Sequence, residues 1–363
     1  MEVVSFEKVG PDVWDAALVT SPDAWFWHTR QYSDFFLELH RDEDVSDLSF
    51  ALVENSIVLA VCPSYLHSID GVVQLGYGEE FLPFPALAES LSVVDRDRAL
   101  KRYFSELGRL SEQYSAVRAR VRVSPLSHNH IGYSLRPMNP LVRYGFFDLT
   151  ESTQVIDLRE HESTLWTNVR KGHRFDIRRA EKICQTEFWT KTTITDLVFS
   201  KYQSLHYKDA GRITRSQRSF DIMLAWILAG RAVLVEATRD RESVAFALIM
   251  LFGNGAFYGS GCKDPHTTDL NASHMLQWEL ILWLKAGGFN YYETGSQYFG
   301  PQWFHCPSEK EMGISKFKRG FGGVAIPVYS GEIFYQATAL GKALATRFDH
   351  LSKAFRENVA VRD

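Results

Sequence analysis

Alternation of apolar and polar residues predicts two groups of β-strands that lie far apart along the chain. The first group occupies Ser49–Gly78 and the second Ala232–Cys262. Each has three apolar runs separated by two polar turns, and the second turn is Asp70-Gly71 in one group and Gly253-Asn254-Gly255 in the other. This order is typical of a three-stranded antiparallel meander. A helical pattern and a further strand follow each group, which indicates two α/β units that arose by internal duplication.

Apolar residues at helical spacing predict where the other elements lie. After the first meander we expect a helix at Asp95–Gln113 and a strand at Ser115–Val123. The second half is expected to contain strands at Gln154–Leu158 and Phe289–Thr294 and helices at His161–Cys184, Thr195–Tyr207, Ser216–Leu228 and Ala272–Ala286. A last, basic amphipathic helix at Ile333–Asn358 predicts packing against the body of the protein, with contact to a membrane surface as the alternative.

An irregular stretch, LRPMNPLVRYG, separates the two units, so we expect the boundary near Phe147–Gln154. The predicted domains are residues 1–150, residues 151–331 and a C-terminal helix at 332–363. A chain of 363 residues with 45% apolar content can form two packed cores.

Composition narrows the class of protein. The net charge of −4 excludes a general nucleic-acid binder, so we expect no DNA partner and any anion site to be local. The four cysteines form no CxxC pair, which argues against a disulfide scaffold or a structural zinc site and favours a reducing compartment. We also expect no secretory signal and no membrane span, because no apolar run approaches about 18 residues. The expected location is cytoplasmic, and the oligomeric state is left open.

His128 and His130 lie two residues apart, but no carboxylate or cysteine lies near them in the sequence. Imidazole pairs that bind zinc normally have such additional ligands. We therefore expect no metal site. P-loop, Rossmann and GxSxG motifs are also absent from the sequence.

Four segments resemble the FemAB-type branch of the tandem GNAT (Gcn5-related N-acyltransferase) proteins. They are WFWHTRQYSDFF at Trp25–Phe36, WTNVRKGHRFDIRRAEK at Trp166–Lys182, HMLQWELILWLKAGGFNYYETGS at His274–Ser296 and KFKRGFGG at Lys316–Gly323. Their order and spacing carry the resemblance, which the BioF2-like group shares in large part. It implies an α/β (α+β) fold of two tandem GNAT-like domains, each a mixed, largely antiparallel sheet flanked by helices.

The resemblance also implies an enzyme that moves an acyl or aminoacyl group onto the amine of a small-molecule, peptide or nucleotide-linked acceptor. The donor would be aminoacyl-tRNA or acyl-CoA, with no tightly bound cofactor. The glycine-rich phosphate loop of coenzyme A-binding members is missing from Asp264–Met275 and from Glu80–Ser90. This favours the tRNA donor but leaves open an acyl-CoA-dependent sugar-amine acyltransferase and a catalytically silent binding module.

The resembling family uses a Phe-Lys pair to stabilise the oxyanion of the transition state, and the matching residues are Phe317 and Lys318. Phe321 is expected to wall the cleft, since aromatic rings restrict an ammonium group and exclude water. Glu293, at the expected end of a strand, is a candidate to orient or deprotonate the acceptor amine. Tyr258 and Gln297 are expected to bind substrate.

Two clusters of arginines are candidates for substrate phosphates. Arg170, Arg174 and Arg178 are spaced i, i+4, i+8, so a single helix would carry them on one face. Arg212 lies in AGRITRSQRSF, near the place where the resemblance implies a substrate-binding arginine. The alternatives are a solvated helix face for the first cluster and an ordinary polar loop for the second.

Overall fold

A computed structural model describes residues 1–76, 81–127 and 138–360, with side chains to residue 356. The first half contains the helices α1 (Phe6–Val9), α2 (Pro11–Val19), α3 (Arg30–Leu39) and α4 (Val93–Tyr114). Its strands are β1 (Glu2–Ser5), β2 (Asp44–Asp47), β3 (Phe50–Glu54), β4 (Ile57–Cys62), β5 (Tyr65–Ile69), β6 (Val72–Leu75), β7 (Leu82–Pro83), β8 (Ala86–Leu87), β9 (Arg118–Arg122) and β10 (Phe147–Asp148).

The second half contains the helices α5 (Glu162–Asn168), α6 (Lys171–Ala180), α7 (Asp196–Ala210), α8 (Gln217–Leu228), α9 (Ala272–Ala286), α10 (Glu309–Arg319) and α11 (Ala337–Ala360). Its strands are β11 (Glu151–Asp157), β12 (Gln185–Trp189), β13 (Ala232–Arg239), β14 (Glu242–Phe252), β15 (Gly255–Lys263), β16 (Tyr291–Ser296), β17 (Val324–Val328) and β18 (Ser330–Phe334). Within the described ranges, no helix has the length and apolar character needed to cross a membrane.

The first predicted meander is divided between two sheets. Strands β3 and β4 belong to a sheet with the order β1-β3-β4-β8, whereas β5 and β6 belong to one with the order β10-β18-β9-β6-β5-β2. The chain passes from one sheet to the other at Pro63 and Ser64, between β4 and β5. Proline has no N–H to donate to a strand partner, so the chain leaves the first sheet there. The expected single meander is therefore wrong for this half.

The second predicted meander is confirmed. Strands β13, β14 and β15 pair antiparallel in the sheet β12-β13-β14-β15-β16-β11-β17, and α9 and β16 follow as expected. Strand β16 pairs parallel with β15, which requires a crossover, and α9 provides it. The inner faces of these strands and α9 form one apolar core, and helices α7 and α8 cover a second core together with Trp25 and Phe26.

The predicted helix at His161–Cys184 is two helices, α5 and α6. Val169 and Arg170 are extended between them, and the Arg170 N–H donates to the carbonyl of Gly320 over 2.8 Å. A contact with a distant part of the chain thus interrupts a run whose local pattern is helical throughout. As a result, Arg170 caps α6 instead of lying on its face.

The chain returns to the first half before it ends. Strand β18 pairs antiparallel with β9 and β10, although β17, immediately before it, belongs to the second large sheet. The C-terminal helix therefore begins at Ala337 and not at Ile333, because Ile333 and Phe334 are part of β18. The domain limits 1–150, 151–331 and 332–363 stay a prediction, and the sheet pairing adds that residues 330–334 complete the first unit's sheet.

Candidate functional site

A large cavity opens where two neighbouring strands separate. Strands β15 and β16 are in register only from Gly255, opposite Tyr291, to Phe257, opposite Glu293. Beyond that point β15 continues to Lys263 without pairing to β16, and the gap exposes the start of α9. The resulting cavity has a volume of about 740 Å³. Its described lining includes Tyr258, Lys263, His274, Thr294, Lys310, Phe317 and Lys318.

Helix α10 brings Phe317 and Lys318 to this cavity. Ser308 and Glu311 cap its first turn reciprocally, with the Glu311 N–H donating to Ser308 Oγ and the Ser308 N–H donating to the Glu311 carboxylate. The first four residues of the segment KFKRGFGG, Lys316–Arg319, are thus the last turn of this helix. The glycines follow it, so Phe317 and Lys318 are held on a rigid element.

Lys318 is half-buried at the edge of β16. A Cβ atom at Gly295 would lie 2.7 Å from Lys318 Nζ, and Gly295 has φ +97°, so glycine meets both the backbone conformation and the space that the ammonium needs. Burial lowers the pKa of Lys318, whereas the charge of Glu293 acts in the opposite direction. Lys318 and Glu293 are therefore close enough to influence each other.

Glu293 lies in the middle of β16, not at the end of a strand as expected, and it is only 5% exposed. Thr153 of β11 donates its hydroxyl to Glu293 Oε1 over 2.7 Å. Burial raises the pKa of Glu293 to about 7, although the Thr153 hydrogen bond and the charges of Arg122 and Lys318 act to lower it. A carboxyl group with a pKa near neutrality can both take up and release a proton at physiological pH.

Glu293 lines a second, small cavity of about 220 Å³ between the two halves of the protein. Because side chains alternate along a strand, Glu293 faces this small cavity while Thr294 faces the large one. The walls come from both halves of the chain. They include Trp27, Tyr32, Phe36, Tyr65, Phe81, Arg122, Glu151 and Phe257.

Two histidines pack beneath Phe317. The rings of His173 and His274 meet edge to face with their centroids 4.6 Å apart, and both contact Phe317 and Phe321. His173 Nε2 lies 2.9 Å from the Phe317 carbonyl oxygen. Burial lowers the pKa of both histidines, that of His274 to about 4, so both rings are neutral at pH 7.

Within the described residues, these two histidines and Asp176 form a group whose side chains could bind a metal ion. Their donor atoms lie within 4.8 Å of one another, and His173 Nδ1 is buried without a hydrogen-bond partner. The T-shaped packing, however, directs one ring edge at the other ring's face, whereas metal ligands aim their nitrogen lone pairs at a common point. The predicted pair His128 and His130 lies outside the described residues.

Several predicted substrate-binding residues lie away from both cavities. Arg174 donates to the carbonyls of Thr167 and Val169 at the end of α5, and Arg178 lies over the Trp166 ring at 5.4 Å. Gln297 is buried and accepts a hydrogen bond from Arg319 over 2.9 Å. Arg212 is exposed in the loop between α7 and α8. Phe321 is 2% exposed and supports Phe317 from behind.

Sequence reasoning did not identify Thr153, Arg122 or the aromatic walls of the small cavity. These residues come from segments far from Glu293 in the chain, and no local spacing connects them. His274 had a detectable signal, because it lies in the first turn of the helix that opens the segment resembling the FemAB-type proteins. Its position there now places it in the wall of the large cavity.

Comparison with known proteins gives matches in structure alone. No family model and no curated protein matches the sequence. The solved structure of FemX superposes with a TM-score of 0.67 at 12% identity, covering 94% of this chain and 99% of FemX. L-PGS from Bacillus licheniformis superposes with a TM-score of 0.59 at 12% identity, covering 93% of this chain and 96% of the other.

A third match is the C-terminal domain of a putative lysylphosphatidylglycerol synthetase from Agrobacterium fabrum. It has a TM-score of 0.55 at 13% identity and covers 87% of this chain and 94% of that domain. At identities this low, the superpositions show a shared fold and nothing more. The predicted fold class, mixed and largely antiparallel sheets flanked by helices in two units, is confirmed, and the chain has the fold of FemX and L-PGS.

Proposed function

We propose that this protein is an N-acyltransferase that joins an acyl or aminoacyl group to a primary amine, with the donor in the large cavity, the amine in the small cavity and the reacting groups between Lys318 and Glu293. The observation that carries the proposal is the pair Lys318 and Glu293. One lines the large cavity, the other lines the small cavity, and each alters the pKa of the other. A cation and a proton acceptor that lie close enough to influence each other are what acyl transfer between two bound substrates requires.

In this proposal the donor carbonyl lies beside Lys318 and the amine beside Glu293. The amine nitrogen attacks the carbonyl carbon, a C–N bond forms, and the carbonyl π electrons move to the oxygen. The Lys318 ammonium stabilises that oxyanion. When the oxyanion collapses, the C–O bond of an ester, or the C–S bond of a thioester, breaks. The Glu293 carboxylate takes the proton from the amine nitrogen and returns it to the leaving oxygen or sulfur, so both side chains end unchanged.

The large cavity suits a donor that carries phosphates. Lys263 and Lys310 line it together with Lys318, and α9 starts at its wall. Asn271 precedes that helix in a left-handed conformation and makes no side-chain hydrogen bond to its backbone, so the positive end of the helix dipole at this wall is not capped by a side chain. Both aminoacyl-tRNA and acyl-CoA carry phosphates. The missing glycine-rich loop and the fold shared with FemX and L-PGS favour aminoacyl-tRNA.

Replacing the lysine tests the proposal. We expect Lys318→Met to lower kcat about 10²- to 10³-fold, because the oxyanion loses a preorganised cation in a site shielded from water. Mass spectrometry of the amide product, with charged tRNA or acyl-CoA and a panel of amines, measures the effect. Lys316→Met is the matched control, since Lys316 is exposed on the same helix.

A folded Lys318→Met enzyme with normal turnover would contradict the assigned role. Product from acyl-CoA alone would select the sugar-amine acyltransferase alternative. If neither donor gives product with any amine, the protein is a binding module of this fold and not an enzyme.

A further inference from the structure

We infer that the small cavity binds its acceptor as a protonated primary amine carried on an aromatic or similarly apolar group, and not as a phosphate-bearing amine. The inference deepens the proposed function and rests on it for the identity of the bound molecule as acceptor. The aromatic walls of the cavity, its charge and the residue pair Phe257 and Glu293 support the inference.

Six aromatic side chains form the largest group of residues in the described wall. Trp27 packs edge to face against Tyr32 and Phe257, with ring centroids 4.7 and 5.1 Å apart, and the rings of Phe36 and Tyr65 pack with centroids 4.4 Å apart. Such mutual packing holds the rings in place before a ligand arrives. Rigid aromatic walls around about 220 Å³ leave room for one flat ring and a short linker, and they provide no solvent for a highly hydrated group.

The charges of the described lining favour a cation. Two carboxylates, Glu151 and Glu293, stand in this lining against one guanidinium, that of Arg122, which forms an ion pair with Glu151 and stacks over the Phe81 ring at 4.1 Å. Glu293 receives only a neutral hydroxyl hydrogen bond, from Thr153. A phosphate brought into this cavity would meet a carboxylate and π-faces, whereas an ammonium would be attracted by both.

Two neighbouring residues of the cavity wall can hold the ammonium. Phe257 of β15 and Glu293 of β16 are register partners in the parallel pair, so both side chains leave the sheet on the same face. An ammonium between them contacts the ring of Phe257 and donates a hydrogen bond to the carboxylate. From there, Glu293 takes one proton from the ammonium and releases it to solvent before the donor binds, which leaves the neutral amine and restores the carboxylate for the transfer step. Binding and activation of the amine thus use the same carboxylate.

The test measures binding to the full-length protein without a donor, by isothermal titration calorimetry. The probes are phenethylamine, its uncharged analogue phenethyl alcohol, and phosphoethanolamine. We expect phenethylamine to bind at least about 10-fold more tightly than either of the others, since it alone meets both the aromatic and the carboxylate requirement. Phe257→Leu should weaken phenethylamine about 5- to 30-fold, whereas Phe348→Leu, on the exposed side of α11, should leave the Kd unchanged.

Trp27→Leu provides a second aromatic variant if Phe257→Leu fails to fold. Glu293→Gln should abolish the protein's preference for phenethylamine over phenethyl alcohol.

Equal binding of phosphoethanolamine and phenethylamine would overturn the inference. So would an affinity that is the same in all folded variants. Amide product from phosphorylated amines alone would refute the inference and leave the proposed transfer intact. Phe257-dependent amine binding without product from any donor would refute the transfer and leave the amine site.

Discussion

Glu293 shows how a buried position sets the chemistry of a single side chain. On a solvated strand end its carboxyl would be ionised at neutral pH, but within β16 burial outweighs the Thr153 hydrogen bond and the nearby cations. The sequence brought attention to Glu293, Lys318, Phe317 and Tyr258, and the structure places each at one of the two cavities. It does not bring Arg212, Arg174 or Gln297 to them. Residue type and local motif were enough to predict the residues at the cavities. Whether an arginine or glutamine instead bonds to the protein itself depends on tertiary contacts.

The pH dependence of transfer should follow Glu293. The carboxylate is the proton acceptor, so kcat should rise with pH and reach half its maximum near pH 7. Glu293→Gln should lose this dependence and fall about 10²- to 10⁴-fold. Glu160→Gln, at an exposed position, serves as the control. An unchanged pH profile in the Glu293→Gln enzyme would exclude the assigned role.

The same shift has a consequence for stability. The folded protein keeps the Glu293 proton up to about pH 7, whereas the unfolded chain releases it near 4.5. Folded protein therefore binds more protons in this interval, and the free energy of unfolding should fall as pH rises from 4.5 through 7. Urea denaturation at several pH values should show a smaller decrease in the Glu293→Gln variant.

At the scale of elements, two helices are positioned by one close contact. The imidazole of His173 on α6 occupies the space next to Gly320, where a Cβ atom would overlap the ring, and the Gly320 carbonyl accepts from the N–H of Arg170. This contact places the end of α10, and therefore Lys318, against the beginning of α6. The sequence contains the start signal of α10, Ser308 followed by Glu311, although no helix was predicted there. The break between α5 and α6 had no local signal, because it depends on Gly320.

Adding one methyl group at this contact tests its importance. Gly320→Ala should lower the free energy of unfolding by about 1–3 kcal/mol, because the buried ring and the helix end must move apart. It should also reduce kcat, since Lys318 lies two residues away. Gly108→Ala is the matched control: its Cβ meets nothing within 4 Å in the middle of α4, so a helical alanine there should stabilise by about 0.5–1 kcal/mol. Equal urea midpoints for the two variants would contradict the importance of the His173–Gly320 contact.

At the scale of the molecule, the C-terminal segment closes the first unit. Strand β18 inserts between β9 and β10, and its Glu332 is fully buried with ion pairs to Arg120 on β9 at 3.3 Å and to Arg347 on α11 at 2.5 Å. Residues from both ends of the chain therefore build one sheet. The small cavity between the units depends on this arrangement, because Val328, at the end of β17, and Arg122 of β9 both line it.

Removing the Glu332 charge should lower the stability of the folded protein. Glu332→Gln leaves the buried guanidinium of Arg120 and the partly buried ones of Arg118 and Arg347 without their counterion, and we expect a loss of about 3–5 kcal/mol in the free energy of unfolding. Asp157→Asn breaks an exposed pair with Arg159 and should change it by less than about 1 kcal/mol. Thermal and urea denaturation measure both. Similar losses in the two variants would show that Glu332 does not join β18 to α11.

The sequence by itself determined the second meander, the helix α9 and strand β16 after it, and the position of the basic segment that carries Lys318. Each depends on side chains close together in the chain, where alternation and helical spacing report burial directly. Only the tertiary structure decided that β3 and β4 belong to a different sheet from β5 and β6, and that β18 pairs with β9. The same holds for the position of Thr153 and Arg122 near Glu293. Those contacts join residues tens to hundreds of positions apart, and they are selected by packing of the whole chain, which no local pattern contains.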